Sequence, residues 1–305
     1  MKNLRPQLAG IILWCLFSIP VFGFCAIAAR LRPPQGGATI GPIQLSSQPE
    51  IDAGFKLLYE LKFSDAHAAF TGWESKHPDE ALGPAAEAAQ ILFQEFDRQG
   101  VLTSDFFLDD DRLLGGVPGK PDPQVRNAFN ADVRKAQELA RTRLKANPHD
   151  ADALFALTIA TGMQANYASL IEQRQVESLR LTREADKIAK ELLAVAPGAM
   201  DAYVALGSAN YIIGCLPTYK RFIIRFGGFH GDRALGMRQL ALSAKSGHYL
   251  RPYAKLTLGL AAMREKQPDL ARIEFEQPVA EFPGNPKFAR ELAKVRGTIG
   301  PALNR

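Results

Sequence analysis

Apolar residues recur at three- and four-residue intervals along most of the chain, and alternating β-branched runs are nearly absent. Residues spaced in that way share one face of a helix, so the pattern predicts an all-α fold. Four stretches repeat a finer pattern of small and large residues closed by a proline. Ala66, Phe70 and Trp73 precede Pro78, and Ala136, Ala140 and Leu144 precede Pro148. Ala185, Ala189 and Leu192 precede Pro197, and Ala271 and Phe275 precede Pro283. In all four, the proline lies twelve residues after the first alanine and eight after the second position. An alanine at a helix crossing lets two axes approach, and a large side chain one turn later fills the neighbouring groove. Proline cannot continue a helix, so each one marks the end of a unit.

These offsets resemble the second half of a tetratricopeptide repeat. Leu258-Gly259, Ala271 and Phe275 stand where a unit ending at Pro283 expects its Leu-Gly, Ala and Phe. Ala53-Gly54, Ala66 and Phe70 repeat that arrangement before Pro78, with Trp73 in place of a small residue. Leu206-Gly207 opens a further first helix whose second helix is hard to place. The resemblance implies a right-handed solenoid of helix hairpins, about five irregular pairs over residues 50–297. Residues 286–296 form a closing helix whose polar face carries Lys287, Arg290, Glu291, Lys294 and Arg296, and a tail follows from 298. A solenoid of that kind holds a protein or peptide partner in the groove lined by its first helices.

The repeats are spaced unevenly. Pro78 to Pro148 is 70 residues, Pro148 to Pro197 is 49 and Pro197 to Pro283 is 86, against about 34 for one unit. The extra residues fall between the first and second helix of a pair. Gln164 to Thr182 is polar and helix-compatible, so it reads as lengthened helix. Asp105 to Gly119 is different: Phe106, Phe107, Leu108, Leu113 and Leu114 make it apolar enough to fold back over the array. Its four aspartates lack the alternating ligands and closing glutamate of a calcium loop, and read as helix caps at Asp105 or Asp109. Phe106 and Phe107 are candidate partner contacts.

A second candidate surface lies in Pro217 to Arg233. Tyr219, Phe222, Ile223 and Phe226 recur at helical spacing, with Lys220, Arg221 and Arg225 on other positions. Tyr219, Arg221, Phe222 and Arg225 are therefore expected either to grip a partner or to lie on an anionic membrane surface. The alternative is an aromatic stripe packed on neighbouring helices. The following Gly228-Phe229-His230-Gly231-Asp232-Arg233, with Gly236 and Leu240, resembles a segment of the inclusion-body-clearance tetratricopeptide family. There Gly231 is expected at positive φ, Asp232 as a cap and Gly236 at a close helix contact.

Near the N-terminus, Lys2 and Arg5 precede a run without charge from Leu8 to Ala29, and Ala26-Ile27-Ala28 offers a cleavage pattern. Residues 1–28 are thus expected to be an export signal, or else a membrane anchor, with 29–49 a Pro- and Gly-rich tether. Either way the helical array would lie outside the cytoplasmic membrane. The formal charge of +5, two units of it from Lys2 and Arg5, is too small to indicate nucleic acid. Cys15 and Cys25 fall in the signal, so Cys215 stands alone, with no ligand set for a metal and no expected cofactor. His77 and His149 fall in turns, and Ser64-Asp65 and Ser104-Asp105 read as helix caps. Without a nucleophile elbow or metalloprotease motif, no enzyme is expected. An enzyme would need a cleft with clustered titratable groups.

Overall fold

A computed structural model describes residues 45–219, 221–222 and 230–299. The expected export segment and most of the tether lie outside the described residues, as do Lys220, Ile223, Arg225 and Phe226. Among the described residues the chain is all-helical, with thirteen α-helices and no strand. They are α1 (Pro49–Tyr59), α2 (Phe63–Lys76), α3 (Leu82–Gln99), α4 (Ser104–Phe107), α5 (Asp110–Gly115), α6 (Pro123–Ala146) and α7 (Ala151–Asn166). A π-helical turn (Tyr167–Ile171) leads to α8 (Gln175–Val195), then α9 (Ala202–Cys215), α10 (Arg233–Ser246), α11 (Arg251–Arg264), α12 (Pro268–Glu281) and α13 (Pro286–Ile299).

Helices pack as adjacent pairs: α1 with α2, α3 with α6, α7 with α8, α9 with α10 and α11 with α12. Four of the five second helices stop two residues before a repeat proline. Their small and large marked residues point inward, and Ala66, Phe70, Ala136, Ala140, Ala185, Ala189, Ala271 and Phe275 are all buried. Pairing is close because glycine faces an aromatic ring. A Cβ at Gly54 of α1 would lie 2.3 Å from the Phe70 ring of α2, and one at Gly259 of α11 would lie 2.6 Å from Phe275 of α12. The pair that the sequence left unplaced uses backbone instead of a ring. A Cβ at Gly236 of α10 would lie 2.5 Å from the Tyr211 nitrogen and 2.7 Å from the Gly207 oxygen of α9.

Caps set where the helices begin. Asp122 accepts from the Gln124 and Val125 amides before Pro123, Asp150 from Ala153 and Asp232 from Leu235. Asp109 caps α5 through the Arg112 amide, as expected. Two expected caps are corrected. Ser64 and Asp65 lie inside the first turn of α2, whose cap position is Lys62. Ser104 and Asp105 likewise open α4, and the capping side chain is Thr103, one residue earlier. Gly231 does not take positive φ; it is small because Gly214 and Ile213 of α9 pass directly against it.

The last helices return to the first. Asn285 Nδ2 donates to the Tyr59 carbonyl at 2.9 Å, and the Tyr59 and Phe282 rings lie 5.5 Å apart. The Tyr59 hydroxyl donates to the Tyr249 carbonyl, and Lys287 pairs with Asp97 of α3 at 2.5 Å. Buried Asp201 ties the turn before α11 to the start of α9, accepting from the His248, Tyr249 and Leu250 amides.

Substitution separates tight from open glycines. Gly54→Ala forces a methyl into the Phe70 ring and is expected to cost about 1–3 kcal/mol of stability. Gly72→Ala on α2, where nothing lies within 4 Å, is expected to gain roughly 0.5–1 kcal/mol from helix propensity. Chemical denaturation of the two variants checks the difference in sign.

Candidate functional site

The first helices of the five pairs, α1, α3, α7, α9 and α11, turn their inner faces toward a common space. Phe55, Leu92, Ile159, Ile212 and Tyr253, one from each, help to line it. The segment Val101–Val117, carrying α4 and α5, folds into this space rather than away from it. Phe106 is fully buried and Phe107, Leu113 and Val117 nearly so. The two candidate contacts Phe106 and Phe107 are therefore wall residues, with no ring presented to the outside.

Polar bonds hold the insertion in place. Arg264 of α11 donates to the Phe107 carbonyl at 2.9 Å and pairs with Asp110. Lys294 of α13 bonds the Ser104 hydroxyl at 2.9 Å and pairs with Asp105 at 3.0 Å. At the far end the Val117 amide donates to the Leu170 carbonyl at 2.8 Å. What remains inside is an apolar chamber of about 380 Å³. Among the described residues its lining holds no Lys, Arg, His or Glu, and Asp201 is the one carboxylate. Burial pushes the Asp201 carboxyl up, against the pull of its three backbone amides. The Ser208 hydroxyl, buried in the wall, has no partner among the described residues. Asn166, Ser169, Gln175 and Ser178 give the α7–α8 end a neutral polar edge.

A second concavity, about 740 Å³, is polar and lies between α2, α3 and α6. His67 Nδ1 lies 2.6 Å from Glu87 Oε2, and Lys135 pairs with Glu74 at 2.5 Å. Burial pushes the Glu87 carboxyl up to about 7, although His67 pulls the other way. Burial, then Glu74, pushes Asp132 up to about 6. Titratable groups are therefore clustered here, the feature an enzyme would need. Two of its three hydroxyls are engaged with backbone: Thr71 donates to the His67 carbonyl and Ser75 to the Gly72 carbonyl, while Ser64 also lines the cleft.

Elsewhere, Tyr219 and Phe222 are exposed, at 64% and 63%, so these two rings do not pack as a core stripe. Arg221 is exposed beside them, its guanidinium 3.5 Å from the Thr218 hydroxyl. Cys215 is buried and its thiol is pushed up by burial, which disfavours the thiolate. Among the described residues no three His, Cys, Asp or Glu side chains form a metal-ligand set, and no helix is long and apolar enough to cross a membrane. The sequence matches no protein-family model and no curated protein.

The sequence pointed to a concavity lined by the first helices, but not to the second cleft. Glu87, Asp132 and His67 are 20 to 65 positions apart, and only the packing of α3 against α2 and α6 brings them together. The one local signal was an isolated glutamate amid the small residues of α3, Ala85-Ala86-Glu87-Ala88-Ala89.

The raised carboxyls fix the sign of a pH effect. A carboxyl whose folded pKa is raised favours folding while protonated. That contribution is complete below about pH 4 and is lost as pH rises through the folded values near 6 and 7. Glu87→Gln keeps the shape without the ionisation. It is expected to be more stable than the parent at pH 8 by on the order of 1–3 kcal/mol, with the gap closing by pH 5. Thermal melts at the two pH values measure it, and an equal gap at both would contradict the assignment.

Proposed function

We propose that this chain is a non-enzymatic binding protein: a tetratricopeptide-like array, outside the cytoplasmic membrane, whose interior chamber holds an apolar, uncharged ligand. The observation that carries this reading is the chamber wall. A space of about 380 Å³ is within the size range of small-molecule sites, and like them it is mainly apolar with a few polar groups. A charged group inside would lose its hydration and find no counter-ion, so charge selects against entry. Asp201 does not alter this, because its oxygens already accept from three amides.

The resemblance to tetratricopeptide repeats supports an open groove for a peptide, lined by the first helices. Here α4 and α5 occupy part of that groove, so an extended peptide partner would have to displace them. A compact apolar ligand would not. The makeup of residues 1–28 supports an envelope location, through Lys2 and Arg5, the uncharged run and the small residues near Ala28.

A neutral hydrophobic dye is expected to bind with one site per chain, and Ala209→Trp, which fills the chamber from α9, is expected to reduce that binding at least tenfold. Fluorescence titration checks both, with circular dichroism showing that the variant remains helical. Unchanged dye affinity in a folded variant would place the binding elsewhere.

The exposed pair Tyr219 and Phe222 favours a second reading, in which the chain docks on an anionic lipid surface. Rings with a neighbouring arginine suit the boundary between headgroups and acyl chains. Vesicles containing anionic lipid are expected to float the protein at low salt, and Tyr219→Ser with Phe222→Ser is expected to lower the floated fraction severalfold. Flotation that ignores both salt and substitution would sink the reading.

A further inference from the structure

The polar cleft between α2, α3 and α6 is separate from the chamber, and its charges do not cancel. Glu74, Glu87 and Asp132 face Lys135 and His67. Lys135 pairs with Glu74 at 2.5 Å and also acts on Asp132, so among the described residues three carboxylates share one lysine and one histidine in the cleft. Glu87 is 4% exposed, and its Oε1 has no partner among the described residues while Oε2 meets His67. The half-buried Asp132 carboxylate makes no hydrogen bond or ion pair with the described residues. A buried carboxylate with a free oxygen is costly, and a donor that carries positive charge relieves it most.

The missing partner is defined by what surrounds it. Among the described residues no three His, Cys, Asp or Glu side chains are arranged as a ligand set here, so a bare divalent ion would lack coordinating oxygens. A hydrogen-bonding cation needs acceptors rather than a coordination sphere. The cleft, at about 740 Å³, has room for more than the charged head. Phe63 and Ile91 are half-buried on its walls and offer apolar surface to an alkyl stem.

We propose that this cleft binds a primary ammonium group on an alkyl chain, either a free aliphatic amine or a lysine side chain, with Glu87 and Asp132 as its acceptors. Ammonium binding favours the ionised carboxylates, so at pH 6.5 it releases protons and at pH 8 it is tighter than at pH 5.5. His67 on α2 faces Glu87, while Glu74 and Lys135 neutralise one another across α2 and α6.

Calorimetric titration of the chain with 1,5-diaminopentane, and with a short neutral peptide containing one lysine, tests the proposal. Saturable binding of either at one site is expected, weakened about tenfold by Glu87→Gln and by Asp132→Asn, as the loss of one charge-assisted acceptor implies. Acetylating the lysine should abolish binding of the peptide. Tighter binding of the diamine assigns the site to a free amine, and tighter binding of the peptide assigns it to a lysine side chain. The absence of saturable heat with both probes would overturn the proposal. So would equal affinity in Asp132→Asn, which alters a half-exposed group and leaves the core intact, or magnesium binding as tightly as the diamine.

Discussion

The architecture rests on how closely two helices can approach within a pair. Where α1 meets α2 and α11 meets α12, the glycine hydrogen is the only group that fits between a backbone and a phenylalanine ring. That contact fixes the axis separation and angles the pair, much as a knob seats in a groove. Each pair then presents a constant inner face, and five such faces bound one interior. Loosening one crossing would change the chamber wall several residues away, because densely packed side chains pass strain along rather than absorb it.

The interior would be an open trough without the insertion between α3 and α6. Four features turn it into a chamber: two local caps, and one arginine and one lysine from distant helices. Thr103 and Asp109 start the two small helices, and Arg264 and Lys294 fasten them from α11 and α13. Helices of four and six residues cannot persist alone, since nucleation is costly and propagation brief. They persist because Phe106, Phe107 and Leu113 enter the core. Sequence-distant anchors thus create the local structure.

Much of the fold was legible because its determinants are local. Helical period, the Ala and Phe pattern and the four prolines marked four second helices and their ends. Asp232 is legible as a cap from its immediate neighbours, whereas the same signal left Asp105 and Asp109 as alternatives, of which Asp109 is the cap. The α9–α10 pairing was harder to place because its crossing uses Gly207 and Gly236 instead of an alanine and a ring, and because no proline stands two residues after Ser246. The candidate sites were less legible. Phe106 and Phe107 were recognised as important apolar residues, but whether a ring faces outward or inward depends on what packs over it. Glu87 and Asp132 become partners through three helices, a relation no spacing encodes.

The meeting of Asn285 and Phe282 with Tyr59, and of Lys287 with Asp97, removes the free end that a linear stack of repeats would have. Stability in an open stack is a sum over neighbours, and the outermost unit peels first. Here the turn after α12 reaches back to the end of α1, so detaching either end also breaks the bonds that Asn285 and Phe282 make to Tyr59. The tie is made by side chains and not by a helix seam. One hairpin more or fewer between them would carry Asn285 past the carbonyl it bonds.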